Sequence, residues 1–117
     1  MLYSDAESVH LSSQQILQLW RDNPHAHDVT WVIHGFRGNE NVAQQLLDAG
    51  FYLSFGAKYN KQALAITPLD RLLVETDDEP GDTIEHVLKV VAQDKQCNVW
   101  RLRRQVRRTA LKIIKYK

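Results

Sequence analysis

The chain has 117 residues, of which 44% are hydrophobic and 25% charged, a composition typical of one folded domain and not of a disordered or collagen-like polymer. Its single cysteine, Cys97, cannot form an internal disulfide, so we predict a reducing, cytoplasmic location. Residues 1–10 include Asp5 and Glu7 and have no apolar segment, so we expect neither a signal peptide there nor a membrane-spanning helix elsewhere.

Charge is divided unevenly along the chain. Residues 1–94 contain 6 Lys or Arg and 14 Asp or Glu, whereas residues 95–117 contain 9 basic residues and no acidic one. An acidic body that attracts a basic terminal helix, or a basic face that is simply solvated, explains this division. A surface that contacts nucleic acid explains it as well, and that alternative stays open.

The first predicted elements are a helix and a strand. Ser12 and Gln15 have the spacing of a capping box, which predicts a helix that starts there and runs to about Asp22. Pro24 ends it. The β-branched and aromatic residues 29–33 then predict a short strand of the kind that is buried on both faces of a sheet.

A second helix and a second strand follow. The helix has a narrow apolar stripe, formed by Val42, Leu46 and Leu47. Gly50 is placed to end this helix at the position after its cap. Residues 51–55 predict the second strand, and residues 63–66 predict a short helical turn before Pro68.

The same alternation continues to the end of the chain. Residues 71–75 predict a third strand, and residues 82–85 predict the start of a helix. The apolar positions of that helix are Ile84, Val87, Leu88 and Val91. Asn98 is placed to cap a last helix, which has an apolar stripe at three- and four-residue spacing. The stripe is formed by Val99, Leu102, Val106, Ala110 and Ile113. We expect it to pack inward and the basic residues to face solvent.

Strands that alternate with helices predict an α/β fold with a parallel sheet covered by helices. A closed (β/α)₈ barrel takes about 250 residues, so about three β/α units with parallel strands and a C-terminal helix pair correspond to a partial TIM-barrel-like fragment. We therefore predict that residues 1–117 form a single incomplete domain. Its open strand edges would pair with another copy of the chain, as a homo-oligomer, or with a complementary barrel segment.

His34 and Asp77 stand at the carboxyl ends of predicted strands, the rim where barrel enzymes place their reactive groups. Imidazole and carboxylate are ordinary ligands of a divalent metal, which can polarise a phosphoryl oxygen and generate hydroxide from bound water. Both residues are thus candidate metal ligands, and Asp77 is also a candidate catalytic residue that accepts a proton. A histidine bonded to a nearby carbonyl and an aspartate that caps a loop explain the positions equally well.

Arg37 is the candidate for substrate binding. It lies between Gly35 and Gly38, in the loop after the first predicted strand and before a helix. Its planar guanidinium could hold a phosphate together with backbone N–H groups. A solvated loop arginine beside turn-forming glycines is the alternative.

Two further groups of polar residues lie near the predicted strand ends. Glu75 and Asp78 would add oxygen donors to the rim if their side chains turned inward. His25 and His27 resemble a paired metal motif, but they follow Pro24 and precede the first strand. That order places them at the N-terminal end of the strands, away from the rim, where we expect a solvated loop.

Three blocks of sequence resemble the TatD family of metal-dependent deoxyribonucleases. They are VIHGFRG at residues 32–38, LLDAGFYLSFG at residues 46–56 and PLDRLLVETD at residues 68–77. The resemblance covers the chain from about Trp31 onward and matches strands six to eight of the family's barrel with its C-terminal helices. It implies a metal-dependent phosphodiesterase acting on DNA, with His34 as the sixth-strand histidine and Asp77 as the metal-binding or catalytic aspartate. A divalent cofactor, Mg²⁺, Mn²⁺ or Zn²⁺, is implied in the same way.

The family's other ligands, histidines of the first and fifth strands and a glutamate of the fourth, would lie upstream of His34. Residues 1–9 contain no histidine. A divalent ion takes about four to six ligands, so we expect the isolated monomer to bind metal weakly and to be inert. Three functions stay open: a hydrolase fragment active when the missing strands are supplied, an inactive remnant, and a nucleic-acid-binding module that uses the basic C-terminal helix.

Overall fold

The computed structural model describes residues 2–4, 12–76 and 81–115. Its four strands are β1 (Leu2–Ser4), β2 (Val32–His34), β3 (Tyr52–Phe55) and β4 (Leu72–Val74). Its five α-helices are α1 (Ser13–Asp22), α2 (Glu40–Asp48), α3 (Lys61–Ile66), α4 (Ile84–Lys95) and α5 (Val99–Lys115). Short 3₁₀ turns cover Pro24–Asp28 and Leu69–Arg71. No helix in these described ranges is long and apolar enough to cross a membrane.

All strands of the described sheet run parallel, in the order β1-β2-β3-β4. The predicted α/β class is confirmed, and the three predicted strands correspond to β2, β3 and β4. β1 adds a fourth, in which Leu2 pairs with Val32 and Ser4 with His34. Parallel strands need a crossover connection, and α1, α2 and α3 supply one between each successive pair.

The first predicted strand lies a little further along the chain than residues 29–33, because β2 begins at Val32. Val29 is 46% exposed. The Trp31 indole N–H donates to the Ala26 carbonyl at 2.8 Å, which holds this segment against the preceding 3₁₀ turn. His34 is consequently the last residue of the strand and not the first residue of the loop.

Polar side chains cap all five helices. The caps are Ser12, Asn39, Asn60, Thr83 and Asn98. The predicted capping box at Ser12 and Gln15 is present, and the Asn98 side chain accepts the Trp100 N–H at 2.8 Å. Ile84, expected on the apolar face of its helix, is 41% exposed because it occupies the first position of α4, beyond the core.

The main core lies on the face of the sheet that the helices cover. Ile33, Leu53 and Leu72 have no exposed surface and pack with buried residues from all five helices. Side chains alternate between the two faces of a strand, so Val32 and Tyr52 point to the opposite face. There they form a smaller cluster with Ile113 of α5.

His34 is two residues after Val32 and shares its face of the sheet. In a closed barrel this face is the interior, and its carboxyl end is the rim where reactive groups stand. The fold thus places the imidazole at the end of the inner face.

Candidate metal centre

His34 and Glu75 meet at the carboxyl edge of the sheet. The Glu75 N–H donates to the Phe55 carbonyl at 3.0 Å, which continues the β3-β4 ladder past the end of β4. The Glu75 side chain then reaches across β3, where Oε1 accepts the Gly35 N–H at 2.8 Å. The same oxygen lies 3.3 Å from His34 Nδ1. An imidazole and a carboxylate therefore face each other at this rim.

The turn after β2 makes the contact possible. Gly35 has φ of 59°, in the left-handed region that glycine adopts without strain. The chain turns directly after His34 and directs the Gly35 N–H toward the carboxylate. One carboxylate oxygen thus fixes both the loop and the histidine beside it.

The contact has a consequence for the chemistry of the imidazole. A carboxylate next to Nδ1 favours the tautomer with its proton on Nδ1, which leaves the lone pair on Nε2. Metal-binding histidines are commonly oriented by a carboxylate in this manner. The His34 side chain is 36% exposed, so the ring is not enclosed by the described part of the chain.

Asp77 and Asp78 lie outside the described residues, so the predicted pairing of His34 with Asp77 stays a prediction. Within the described ranges, no group of three or more His, Cys, Asp or Glu side chains is arranged to hold a metal ion. Glu75, considered from sequence as an extra ligand, is the residue that contacts His34. Only Thr76 separates it from Asp77 in the chain.

The strand beside β2 ends in a serine. Ser4 pairs with His34 in the parallel register, and β2 is the strand whose sequence resembles the family's sixth. The position neighbouring His34 along the rim therefore carries a serine, where the resemblance implies a fifth-strand histidine. This agrees with the absence of histidine from residues 1–9.

Phe36 anchors the loop that carries Arg37. Its ring is fully buried and packs edge-on to Phe55 at a centroid distance of 6.0 Å. A Cβ atom at Gly38 would lie 2.8 Å from this ring, so the tight loop requires glycine there. Arg37, between the two, is exposed.

Arg37 lines a shallow groove at the carboxyl edge together with residues of the loop after β3. The other lining residues are Lys58, Tyr59 and Asn60. Two cations from neighbouring loops suit a phosphate group. Lys58 is not among the site residues predicted from the sequence. Its position two residues after Gly56, in the loop that follows a predicted strand, is the signal that could have indicated it.

Tyr59 is held in this groove by Asp94 of α4. Its hydroxyl donates to the Asp94 carboxylate, and its ring packs edge-on to Phe55 at 6.0 Å. Burial and the bond to Asp94 raise the pKa of Tyr59 above its ordinary value of 10.0. The phenol therefore stays protonated in the folded chain at pH values where the unfolded chain begins to lose that proton.

We predict a pH dependence from this difference. A raised pKa gives stability that is present below the unfolded pKa, near 10, and is lost as the pH rises beyond it. From about pH 9.5 to about pH 11.5, the free energy of unfolding should fall more for wild type than for Tyr59→Phe. Urea denaturation across this range measures the difference. Parallel curves for the two proteins would contradict the assignment.

His25 and His27 are exposed, as expected, but they belong to the 3₁₀ turn Pro24–Asp28 and not to an irregular loop. The His27 ring stacks on Trp20 at 3.9 Å, and its Nε2 lies 3.0 Å from the Trp20 carbonyl oxygen. These contacts place His27 before β2, away from the carboxyl edge. The pair therefore takes no part in the candidate site.

A parallel sheet packed against helices, with an imidazole and a carboxylate at the carboxyl edge of the sheet, is the arrangement of part of a (β/α) barrel. Residues 6–115 match the family described as TatD related DNase. The chain belongs to the TatD family.

Relatives with related sequences are described as metal-dependent hydrolases. The chain is 44% identical over 57 residues to YcfH of Escherichia coli. This alignment covers 43% of this chain and 22% of YcfH. It is 41% identical over 59 residues to YabD of Bacillus subtilis, covering 44% of this chain and 23% of YabD. The matched segment thus spans less than a quarter of either relative.

Solved structures show the same fold over a longer stretch. A TatD family hydrolase from Entamoeba histolytica aligns with a TM-score of 0.78 and 12% identity, covering 97% of this chain and 50% of that one. The TatD homologue YJJV of Escherichia coli aligns with a TM-score of 0.68 and 21% identity, covering 86% and 45%. The chain spans about half the length of these barrel proteins and corresponds to a partial barrel.

Proposed function

We propose that this chain supplies part of the active site of a TatD-like hydrolase that cleaves phosphodiester bonds in DNA with a divalent metal. The observation that carries the proposal is the contact between His34 Nδ1 and Glu75 Oε1 at 3.3 Å. It orients the partly exposed His34 imidazole at the carboxyl edge of the inner face. A cytoplasmic location, predicted from the single cysteine, is part of the same proposal.

The chemical types of the donor atoms suit a divalent metal ion. Imidazole nitrogen and carboxylate oxygen are ligands that Zn²⁺ and Mn²⁺ accept, and carboxylate oxygen suits Mg²⁺. We assign Nε2 of His34 as one ligand and Asp77 as another. A complete set takes about four to six donors, so the others must come from a complementary barrel segment or a second copy of the chain. When bound, the ion supplies a Lewis acid for phosphodiester hydrolysis.

Four other side chains of this chain then fill three roles. Glu75 orients the His34 ring through Nδ1, and Asp77 accepts a proton from the attacking water. Arg37, whose guanidinium forms a planar fork, holds a phosphate of the substrate next to Lys58. The shared groove of Arg37 and Lys58 supports this last assignment.

Metal-stimulated cleavage of short single-stranded DNA tests the proposal. With Mn²⁺ present, and at a concentration at which copies of the chain associate and complete the site, the wild-type chain should show a low rate. Asp77→Asn should reduce this rate about 100-fold because general-base catalysis is lost. Asp28→Asn is the matched control, since Asp28 is exposed on the 3₁₀ turn before β2. It should leave the rate unchanged.

An inactive remnant predicts a different outcome. In that case wild type, Asp77→Asn and His34→Ala would share the same residual rate, with and without Mn²⁺. Equal rates in all three proteins would remove the hydrolase proposal for this chain.

A further inference from the structure

Helix α5 presents a basic groove next to an exposed tryptophan. The groove is lined by Trp100, Arg103, Arg104 and Arg107, and we call these four residues the α5 groove. The opposite side of the helix packs inward, where Leu102 and Thr109 are 0% and 3% exposed. The helix therefore divides into a packed side and a cationic side, as its sequence pattern predicts.

Trp100 is the unusual member of the α5 groove. It is 67% exposed, although an indole ring gains more than most side chains from burial. The Arg103 guanidinium lies 5.2 Å from its ring centre, within the range of a cation–π contact. Arg103 also donates to both carboxylate oxygens of Glu85 through its two terminal nitrogens, Nη1 and Nη2, the first at 2.7 Å. Arg103 therefore links the Trp100 ring to Glu85 of α4, while most of the indole stays exposed.

The ion pair with Glu85 gives Arg103 an acidic partner within the chain. The neighbouring arginines of the groove have none in the described part of the chain. Arg104 and Arg107 are both exposed, and neither forms an ion pair with an acidic residue in the described ranges. They are three positions apart, so they lie on the same side of the helix. Two exposed guanidinium groups thus follow the aromatic ring, about one and two turns further along the helix.

We propose that the α5 groove binds single-stranded nucleic acid, with a base stacked on Trp100 and neighbouring phosphates at Arg104 and Arg107. Stacking platforms bordered by cations are how proteins hold single strands without reading their sequence. An acidic peptide would meet the arginines but would have no group that requires the exposed indole. The second groove on α5, lined by Arg108 and Lys112, also contains Asp70, whose carboxylate disfavours a phosphate.

This inference goes beyond the proposed hydrolase and does not depend on it. The α5 groove shares no residue with the His34 and Glu75 contact, and it needs no metal. Binding is therefore measured in EDTA, which removes divalent metal and prevents metal-dependent cleavage. Failure of one proposal then leaves the other intact.

The test is fluorescence anisotropy with a labelled oligothymidylate of about twelve nucleotides, a length within the usual range of single-strand binding sites. Trp100→Ala should weaken binding about tenfold, and Trp100→Phe should recover most of the loss because a stacking ring remains. Arg104→Gln with Arg107→Gln should reduce the slope of log affinity against log salt by about 1.4, the value for two phosphate contacts on a single strand.

The matched control is Arg101→Gln with Arg108→Gln, which removes the same charge from the same helix at two exposed positions outside the α5 groove. It should change affinity less than twofold. All substituted side chains are on the solvent side, and far-UV circular dichroism of each variant verifies the fold.

Three results would overturn the proposal. One is the absence of binding to the oligothymidylate at low salt. Another is an equal loss in the control variant, which would mean diffuse attraction to a positive helix. The third is equally strong competition by polyglutamate, which would indicate an acidic protein as the partner.

Discussion

Replacing Glu75 with alanine will weaken Mn²⁺ binding at His34 by about 10- to 100-fold, the usual effect of removing a carboxylate that orients a metal-binding histidine. In the folded chain, Glu75 Oε1 lies 3.3 Å from His34 Nδ1. Without that oxygen, the ring loses both its orientation and the acceptor that holds its proton on Nδ1. Isothermal titration with Mn²⁺ measures the loss directly.

Two variants define the role of Glu75 more closely. Glu75→Gln keeps an oxygen that can accept the Gly35 N–H but removes the charge, so its affinity should fall between those of wild type and Glu75→Ala. Glu40→Gln, at an exposed position in the first turn of α2, is the matched control and should bind as wild type does. An unchanged affinity in Glu75→Ala would show that the carboxylate has no part in the site.

Replacing Phe55 with alanine will lower the free energy of unfolding by about 3–5 kcal/mol. Phe55 has no exposed surface, and its ring is packed edge-on against Phe36 and Tyr59. Its removal leaves a cavity under the loops that carry both Arg37 and Lys58. Small domains have a total stability of about 5–15 kcal/mol, so much of the population should unfold in moderate urea.

Leu111→Ala is the control for this substitution. Leu111 is 57% exposed on α5, so its truncation should change stability by less than about 0.5 kcal/mol. Equal urea midpoints for Phe55→Ala and Leu111→Ala would contradict the buried position of Phe55 and the packing of the sheet against its helices.

Local signals in the sequence were sufficient for most of the fold. The predicted caps Ser12 and Asn98 each bond the start of their helix, and Thr83 does so within the helix start predicted at residues 82–85. The predicted strands at residues 51–55 and 71–75 contain β3 and β4. β3 is buried along its whole length, and a strand buried on both faces has no polar alternation to obscure it. These elements depend on the chemistry of adjacent residues, which the sequence displays directly.

Elements that depend on distant partners were harder to predict. β1 has three residues, and its strand geometry comes from pairing with β2. The exact start of β2 depends on the bond from the Trp31 indole to Ala26. Neither feature leaves a periodic pattern in the sequence. Strand β1 and the first residue of β2 therefore could not be predicted from the adjacent residues.

The candidate site shows the same division. His34 could be placed at a strand end from its flanking residues, and the structure places it there. The contact with Glu75 could not be predicted, since it requires a side chain that follows β4 to cross β3 and reach the loop after β2. The role of Asp77 stays a prediction that rests on family resemblance.

The most direct test of the central claim is paramagnetic broadening by Mn²⁺ in amide NMR spectra of the chain. We predict that the signals of His34, Gly35 and Glu75 disappear first at low Mn²⁺, and that His34→Ala abolishes this selectivity. Broadening that leaves the His34 and Gly35 signals sharp, and instead follows exposed carboxylates such as Glu40 and Asp48, would contradict a metal centre at this edge of the sheet.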